Sequence, residues 1–134
     1  MISIQTQFSV FLVNKPGVLA SVTKMLAEDG VNVIAMAMMD SVENGVLRFI
    51  CDDPDTARLT LARTEEHWSE TDVLVVMMSN ETGTIAKAAQ LLSTEHLSVA
   101  YAYITGGAGD GITNAVFKVS DTARAVETFR AHWT

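Results

Sequence analysis

Hydrophobic and polar positions divide the chain into short segments with two different periods. Ile2–Val13 is rich in β-branched and aromatic residues with period-two stretches, which predicts a strand. Lys15-Pro16-Gly17 punctuates it. Val18, Val22, Met25 and Leu26 then recur at helical spacing, so a helix is expected over residues 17–29, with Gly30 at the stop position. Residues 31–39 and 46–51 read as strands joined by a turn over 41–45. Asp53-Pro54 combines an N-cap with proline at the first helical position and opens a helix to about Glu66. The same order follows again: strand 72–79, loop 80–83, helix 84–95, strand 97–105, glycine-rich turn 106–111, strand 112–119 and helix 121–131. Val126, Phe129 and Trp133 give the last helix its buried stripe.

The two halves are copies of one unit. Asp55-Thr56-Ala57-Arg58 returns letter for letter as Asp121-Thr122-Ala123-Arg124, 66 positions on (121 less 55). The same shift superimposes Asn14 on Asn80, Gly17 on Gly83, Ala20 on Ala86, Leu26 on Leu92, Val33 on Val99 and Gly45 on Gly111, without a gap. Matches in one register mark an internal duplication. A unit of about 66 residues alone is marginal because it buries a small fraction of its surface, so the copies, 1–66 and 67–134, are expected to pack intimately. No linker rich in Pro, Gly or Ser separates them.

Closing both sheets poses a problem. A single run, His67–Ser79, lies where two βαββαβ units in series need two strands, and the chain ends soon after its last helix. One solution is a pair of long antiparallel strands, each completing the other copy's sheet, with Ile2 to Thr6 standing in for the absent C-terminal strand. The rival is a final strand that is missing or supplied by a second chain.

The strands beginning at Val31 and Leu97 are apolar on both faces. Val31, Val33, Ala35 and Ala37 oppose Ile34, Met36 and Met38; Val99, Tyr101 and Tyr103 oppose Ala100, Ala102 and Ile104. A sheet with helices on one side and water on the other alternates apolar with polar. The second face is therefore expected to be covered by another subunit. A composition of 49% hydrophobic and 19% charged residues points the same way.

A net charge of −7 argues against binding nucleic acid or an anionic membrane, which takes basic stripes. The lone Cys51 excludes an intramolecular disulfide and the usual zinc spacings. The first residues alternate as a strand and carry no positive charge, unlike a signal peptide, and no apolar stretch is long enough to span a bilayer. A cytoplasmic location is the expectation. His67, His96 and His132 are isolated, and Cys51 has no nucleophile signature, so neither enzyme chemistry, cofactor nor metal is expected. Met36, Met38, Met39, Met77 and Met78 read as adaptable packing, not soft-metal ligands. The 106–111 loop joins strands and opens no helix, so a phosphate cradle is not expected.

The βαββαβ order resembles the ACT domain, once per copy over nearly the whole chain. Asn14-Lys15-Pro16-Gly17-Val18-Leu19 carries the likeness where the first strand ends and the first helix opens; Gly30-Val31-Asn32-Val33-Ile34 carries it into the second strand. The sequence departs at Asn14, where the family has Asp, and in copy two, which reads Asn80-Glu81-Thr82-Gly83. The resemblance implies an α+β fold of two ferredoxin-like modules, with antiparallel sheets and helices on one face. It also implies binding of a small effector, most often a free amino acid, at the seam between modules. There the strand-to-helix loop of one module meets the start of the second strand of its neighbour.

The residues suit that role. Gly17 lets backbone approach a ligand. The amides of Gly17, Val18 and Leu19 open a helix, where unpaired N–H groups and the dipole favour a carboxylate. Lys15 adds positive charge, Asn14 is placed to accept from an ammonium, and Asn32 is placed to offer an amide from across the seam. The candidate ligand residues are thus Asn14, Lys15, Pro16, Gly17, Val18, Leu19, Asn32 and Val33. Asn80, Gly83, Thr84, Ile85 and Ser98 make a second candidate, less welcoming to a carboxylate because Glu81 replaces Lys15. The expected function is regulatory binding of an amino acid or related carboxylate by a homodimer, read out by an enzyme or transporter partner. The rival keeps the fold without the ligand: an interaction scaffold whose apolar sheet face docks onto another protein.

Overall fold

The computed structural model describes residues 1–13, 15–40, 44–106 and 111–133. Its elements are β1 (Ile2–Val13), α1 (Val18–Glu28), β2 (Val33–Asp40), β3 (Asn44–Cys51), α2 (Pro54–Ala62), β4 (His67–Ser79), α3 (Thr84–Thr94), β5 (Val99–Thr105), β6 (Ile112–Val119) and α4 (Thr122–His132). The turn residues 41–43 and 107–110, and Asn14, lie outside the described residues. The chain forms two compact units, Thr6–Thr71, and Met1–Gln5 with Asp72–Thr134. Both are α+β, with antiparallel strands in the ferredoxin-like manner.

In the unit Thr6–Thr71 the strand order is β2-β3-β1. Period two sends Phe8, Val10 and Leu12 of β1 to the same side as Leu47, Phe49 and Cys51 of β3. The helical stripes of α1 (Val18, Val22, Leu26) and α2 (Ala57, Leu61) cover that side and complete one core. Residues 67–71 of β4 belong to this unit and bring Trp68 against the core, 6.0 Å from the Phe8 ring, which itself stacks 5.3 Å from Phe49.

In the other unit the order is β5-β6-β4. Leu74, Val76 and Met78 of β4, Ala115, Phe117 and Val119 of β6, Ala88 and Leu92 of α3, and Ala125, Val126 and Phe129 of α4 form its core. Ile2 packs against this core, Met77 N–H donates to the Met1 carbonyl (2.9 Å), and Arg130 donates to the Ile2 carbonyl (3.4 Å). The first five residues thus sit in the unit of the second copy.

Three local features depart from the sequence reading. The second helix ends at Ala62, four residues before Glu66, because Leu61 is its last core residue and Glu65-Glu66 would sit at the negative end of the helix dipole. A register shift between Val33 and Ala35 interrupts the alternation: Val33 pairs with Cys51 and packs on the core, whereas Ala35 pairs with Ile50. Met36, Met38, Met39 and Met77 are exposed within the chain, and only Met78 of the strand methionines is buried. No helix among the described residues is long and apolar enough to cross a membrane.

The repeated tetrapeptides form the first turns of α2 and α4. Asp53 accepts from the Thr56 amide (3.1 Å) and hydroxyl (2.6 Å), and Asp121 accepts from the Arg124 amide (3.1 Å). The Thr56 bonds hold the Asp53 carboxyl below the usual carboxylate range, and the paired bonds from Arg58 (2.7 and 2.9 Å) do the same for Glu70. Both groups bind a proton more readily in the unfolded chain. Their stabilising contribution is therefore complete above the ordinary carboxylate range and is lost as pH falls through the depressed values. Urea denaturation across an acid pH series should show stability falling there, and Asp53→Asn should flatten part of that limb. An unchanged acid limb in the variant would remove Asp53 from this account.

Candidate ligand cavity at the first strand-to-helix loop

β1 carries core residues as far as Leu12, and α1 must then place Val18 on the same core, so the chain between them turns tightly. Gly17 makes the turn at φ 89°, ψ −10°, a left-handed conformation that costs a residue bearing a Cβ about 1–2 kcal/mol. Lys15 N–H donates to the Val13 carbonyl (2.8 Å) and Ser21 N–H to the Gly17 carbonyl (2.9 Å). Among the described residues no side chain caps α1. Among the described residues, no backbone carbonyl outside the helix accepts from the amides of Gly17, Val18 or Leu19. Such amides stand at the positive end of the helix dipole.

Beside them lies a cavity of about 290 Å³, lined by Leu12, Val13, Lys15, Gly17, Val18, Leu19, Met38, Met39, Asp40 and Gly45. Cross-strand pairing explains its second wall. Leu12 pairs with Gly45 across β1 and β3, and Gly45 pairs with Asp40 across β3 and β2. The end of the β2–β3 hairpin is thereby laid beside the end of β1. Gly45 also clears space for the Met38 side chain, since a Cβ there would lie 2.9 Å from Met38 Cε.

Of the residues expected at this site, Lys15, Gly17, Val18 and Leu19 line the cavity. Pro16 occupies the turn without lining it, and Asn14 lies outside the described residues. Asn32 and Val33 lie at the far end of β2 from Asp40, roughly 23 Å along an extended strand. There Asn32 N–H donates to Asp52 Oδ1 (2.9 Å) and its carbonyl accepts from Asp52 N–H (3.1 Å). Asp40 escaped the sequence reading, which took Met38 and Met39 as packing and not as part of this site; the repeat of Gly45 as Gly111 was the nearest signal to them.

At the second loop, Gly83 adopts the same left-handed turn (φ 91°) and opens α3 without a side-chain cap. Here, however, the Thr84 amide is drawn into the turn by the Glu81 carbonyl (3.3 Å), and the Thr84 and Ser79 hydroxyls are 3.2 Å apart. The adjoining cavity, about 740 Å³, takes its walls from Gly83, Thr84, Glu81, Lys87, Trp133 and the β4 end around Met77, among others. Lys87 Nζ lies 4.8 Å over the Trp133 ring. Asn80, Ile85 and Ser98 do not line it: Asn80 N–H donates to the Gly111 carbonyl (2.8 Å), Ile85 is exposed, and Ser98 exchanges bonds with Ser120 (3.0 and 3.2 Å).

Cys51 is buried, which together with the neighbouring Asp52 and Asp53 charges raises its pKa and makes it a poor nucleophile. Among the described residues no group of three or more His, Cys, Asp or Glu is placed to hold a metal.

The sequence model of the ACT domain pair matches residues 2–131, and the chain belongs to that family. Among solved structures it is similar to protein BT0572 from Bacteroides thetaiotaomicron, at 30% identity and TM-score 0.88, covering 97% of this chain and 89% of that one. It is also similar to the regulatory subunit of aspartate kinase from Thermus thermophilus in its ligand-free form (13% identity, TM-score 0.69, 99% and 97% covered). The corresponding subunit from Thermus flavus matches at 17% identity and TM-score 0.66, with 95% and 90% covered. At those identities the two Thermus proteins speak for the fold. No match was found among curated proteins.

Proposed function

We propose that this chain is a regulatory protein that binds a free amino acid or a related small carboxylate in the cavity at the first loop. The observation that carries the reading is the convergence of Lys15 with the start of α1 on one cavity. At its loop end a carboxylate meets a positive side chain, the first amides of α1 and the positive end of the helix dipole. Membership of the ACT domain pair family and the likeness to regulatory subunits of aspartate kinase support a regulatory role. Binding acts through linkage: the ligand favours whichever arrangement of the protein it binds more tightly, and a partner enzyme or transporter reads the shift. The exposed apolar residues Ile34, Met36, Met38 and Met39 along β2 support assembly as a homodimer.

A thermal-shift screen of the standard amino acids tests the proposal. A ligand at about one hundred times its dissociation constant should add about 2.7 kcal/mol of stability, growing with the logarithm of its concentration. Indifference to every amino acid, with association to another protein retained, would favour the scaffold role, to which the same exposed β2 residues are suited.

A further inference from the structure

We infer that Asp40 is the group that distinguishes an α-amino acid from a simple carboxylate in the first-loop cavity. The inference rests on the binding site proposed above. Among the described residues that cavity carries one side chain of each sign: Lys15, on the loop, and Asp40, at the end of β2. The pairing Leu12–Gly45–Asp40 across three strands is what brings the carboxylate to the loop, although it lies 25 positions further along the chain (40 less 15). The other large side chains described in the lining are apolar: Leu12, Val13, Val18, Leu19, Met38 and Met39. Opposite charges and apolar side chains lining one cavity match a zwitterion with a hydrophobic side chain. The α-carboxylate sits toward Lys15 and the α1 amides, the ammonium donates to Asp40, and the side chain lies on the unbranched, polarizable methionines. The volume of about 290 Å³ suits a small ligand.

The duplication supplies an independent observation. At the 66-residue shift, Lys15 becomes Glu81 and Asp40 becomes Gly106. The second copy lacks both charges of this arrangement while keeping Gly83 and Gly111 in place of Gly17 and Gly45. Gly83 makes the same turn without either charge, so neither Lys15 nor Asp40 is required by the turn itself.

The test uses matched probe pairs, leucine with 4-methylpentanoate and valine with 3-methylbutanoate, titrated by calorimetry into the wild-type chain and Asp40→Asn. This substitution keeps the shape of an exposed side chain. Wild type should bind the amino acid roughly tenfold or more tightly than its deaminated partner, the scale of one charge-assisted hydrogen bond. Asp40→Asn should erase that ratio by weakening the amino acid, while the deaminated acid binds at least as tightly as to wild type because a like charge has gone, which also reports that the variant is folded. Amino-acid binding that survives the substitution unaltered overturns the role of Asp40 and leaves the proposed function standing. Equal wild-type affinity for both members of a pair overturns it too, with carboxylate binding retained. Absence of binding by every probe, extended to all standard amino acids, overturns the proposed function itself.

Discussion

Phe8→Ala is expected to lower the unfolding free energy by about 3–5 kcal/mol, the range for emptying a fully buried aromatic site. Phe8 has no exposure, stacks on Phe49 at 5.3 Å, meets Trp68 at 6.0 Å and lies beneath the Arg58 guanidinium at 6.0 Å. Its neighbours come from β3, β4 and α2, so no single element can relax to fill the void. Two further effects add to lost burial. The aromatic contact with Phe49 disappears, and Trp68, held in this unit by residues 67–71, loses its packing partner. Urea denaturation followed by tryptophan fluorescence and, separately, by circular dichroism measures the loss. A midpoint shift equivalent to less than 1 kcal/mol would mean that this core is not the cooperative centre of its unit.

The second large effect concerns the loops. Gly17→Val and Gly83→Val force a β-branched residue into the left-handed region, at φ 89° and φ 91° respectively. An added Cβ at either glycine meets nothing within 4 Å, so the two variants should lose similar stability, on the order of 1–2 kcal/mol, from backbone strain alone. Their effect on amino-acid binding should differ. Gly17→Val distorts the turn that presents the α1 amides to the cavity and should weaken affinity by about tenfold or more, since charge-assisted bonds to a carboxylate depend steeply on distance and angle. Gly83→Val should leave affinity at the first loop near wild type, because Thr84 already engages the Glu81 carbonyl and the charges at the second loop are rearranged. Matched stability loss makes each variant the control for the other. Equal loss of binding in both would defeat the preference for the first loop.

Copy two also records what duplication tolerates. Position 96 corresponds to Gly30 at the shift of 66, yet it is His96, held at φ 57° after α3. Such a non-glycine residue in the left-handed region is uncommon and costs some stability. The Leu97 amide still closes the helix end onto the Leu92 carbonyl (2.9 Å), as the Val31 amide does onto Leu26 (2.9 Å). The turn is thus retained because of the bonds it allows, and glycine is the cheaper way to make it.

Local chemistry along the chain was enough to determine the elements, their duplication and the loop. Alternation in β1, the helical stripe of α1, the Asp-Pro and Asp-Thr helix starts and the Lys15–Gly17 turn each act between residues a few positions apart, where spacing alone decides which side chains share a face. The family likeness followed from the same short segments. Whatever depends on neighbours distant in sequence was decided by tertiary structure. The register slip beyond Val33 separates Val33 from Ala35, because backbone pairing with β3 outranks strict alternation there. Residues 67–71 and Met1–Gln5 join units on the strength of the cores that Trp68 and Ile2 can reach. Asp40, Met38 and Met39 reach the loop only through two successive cross-strand pairings, which no periodicity encodes. A pattern of spacings specifies faces, but the composition of a cavity depends on which strands lie side by side. That is set by burying both helical stripes on one sheet face.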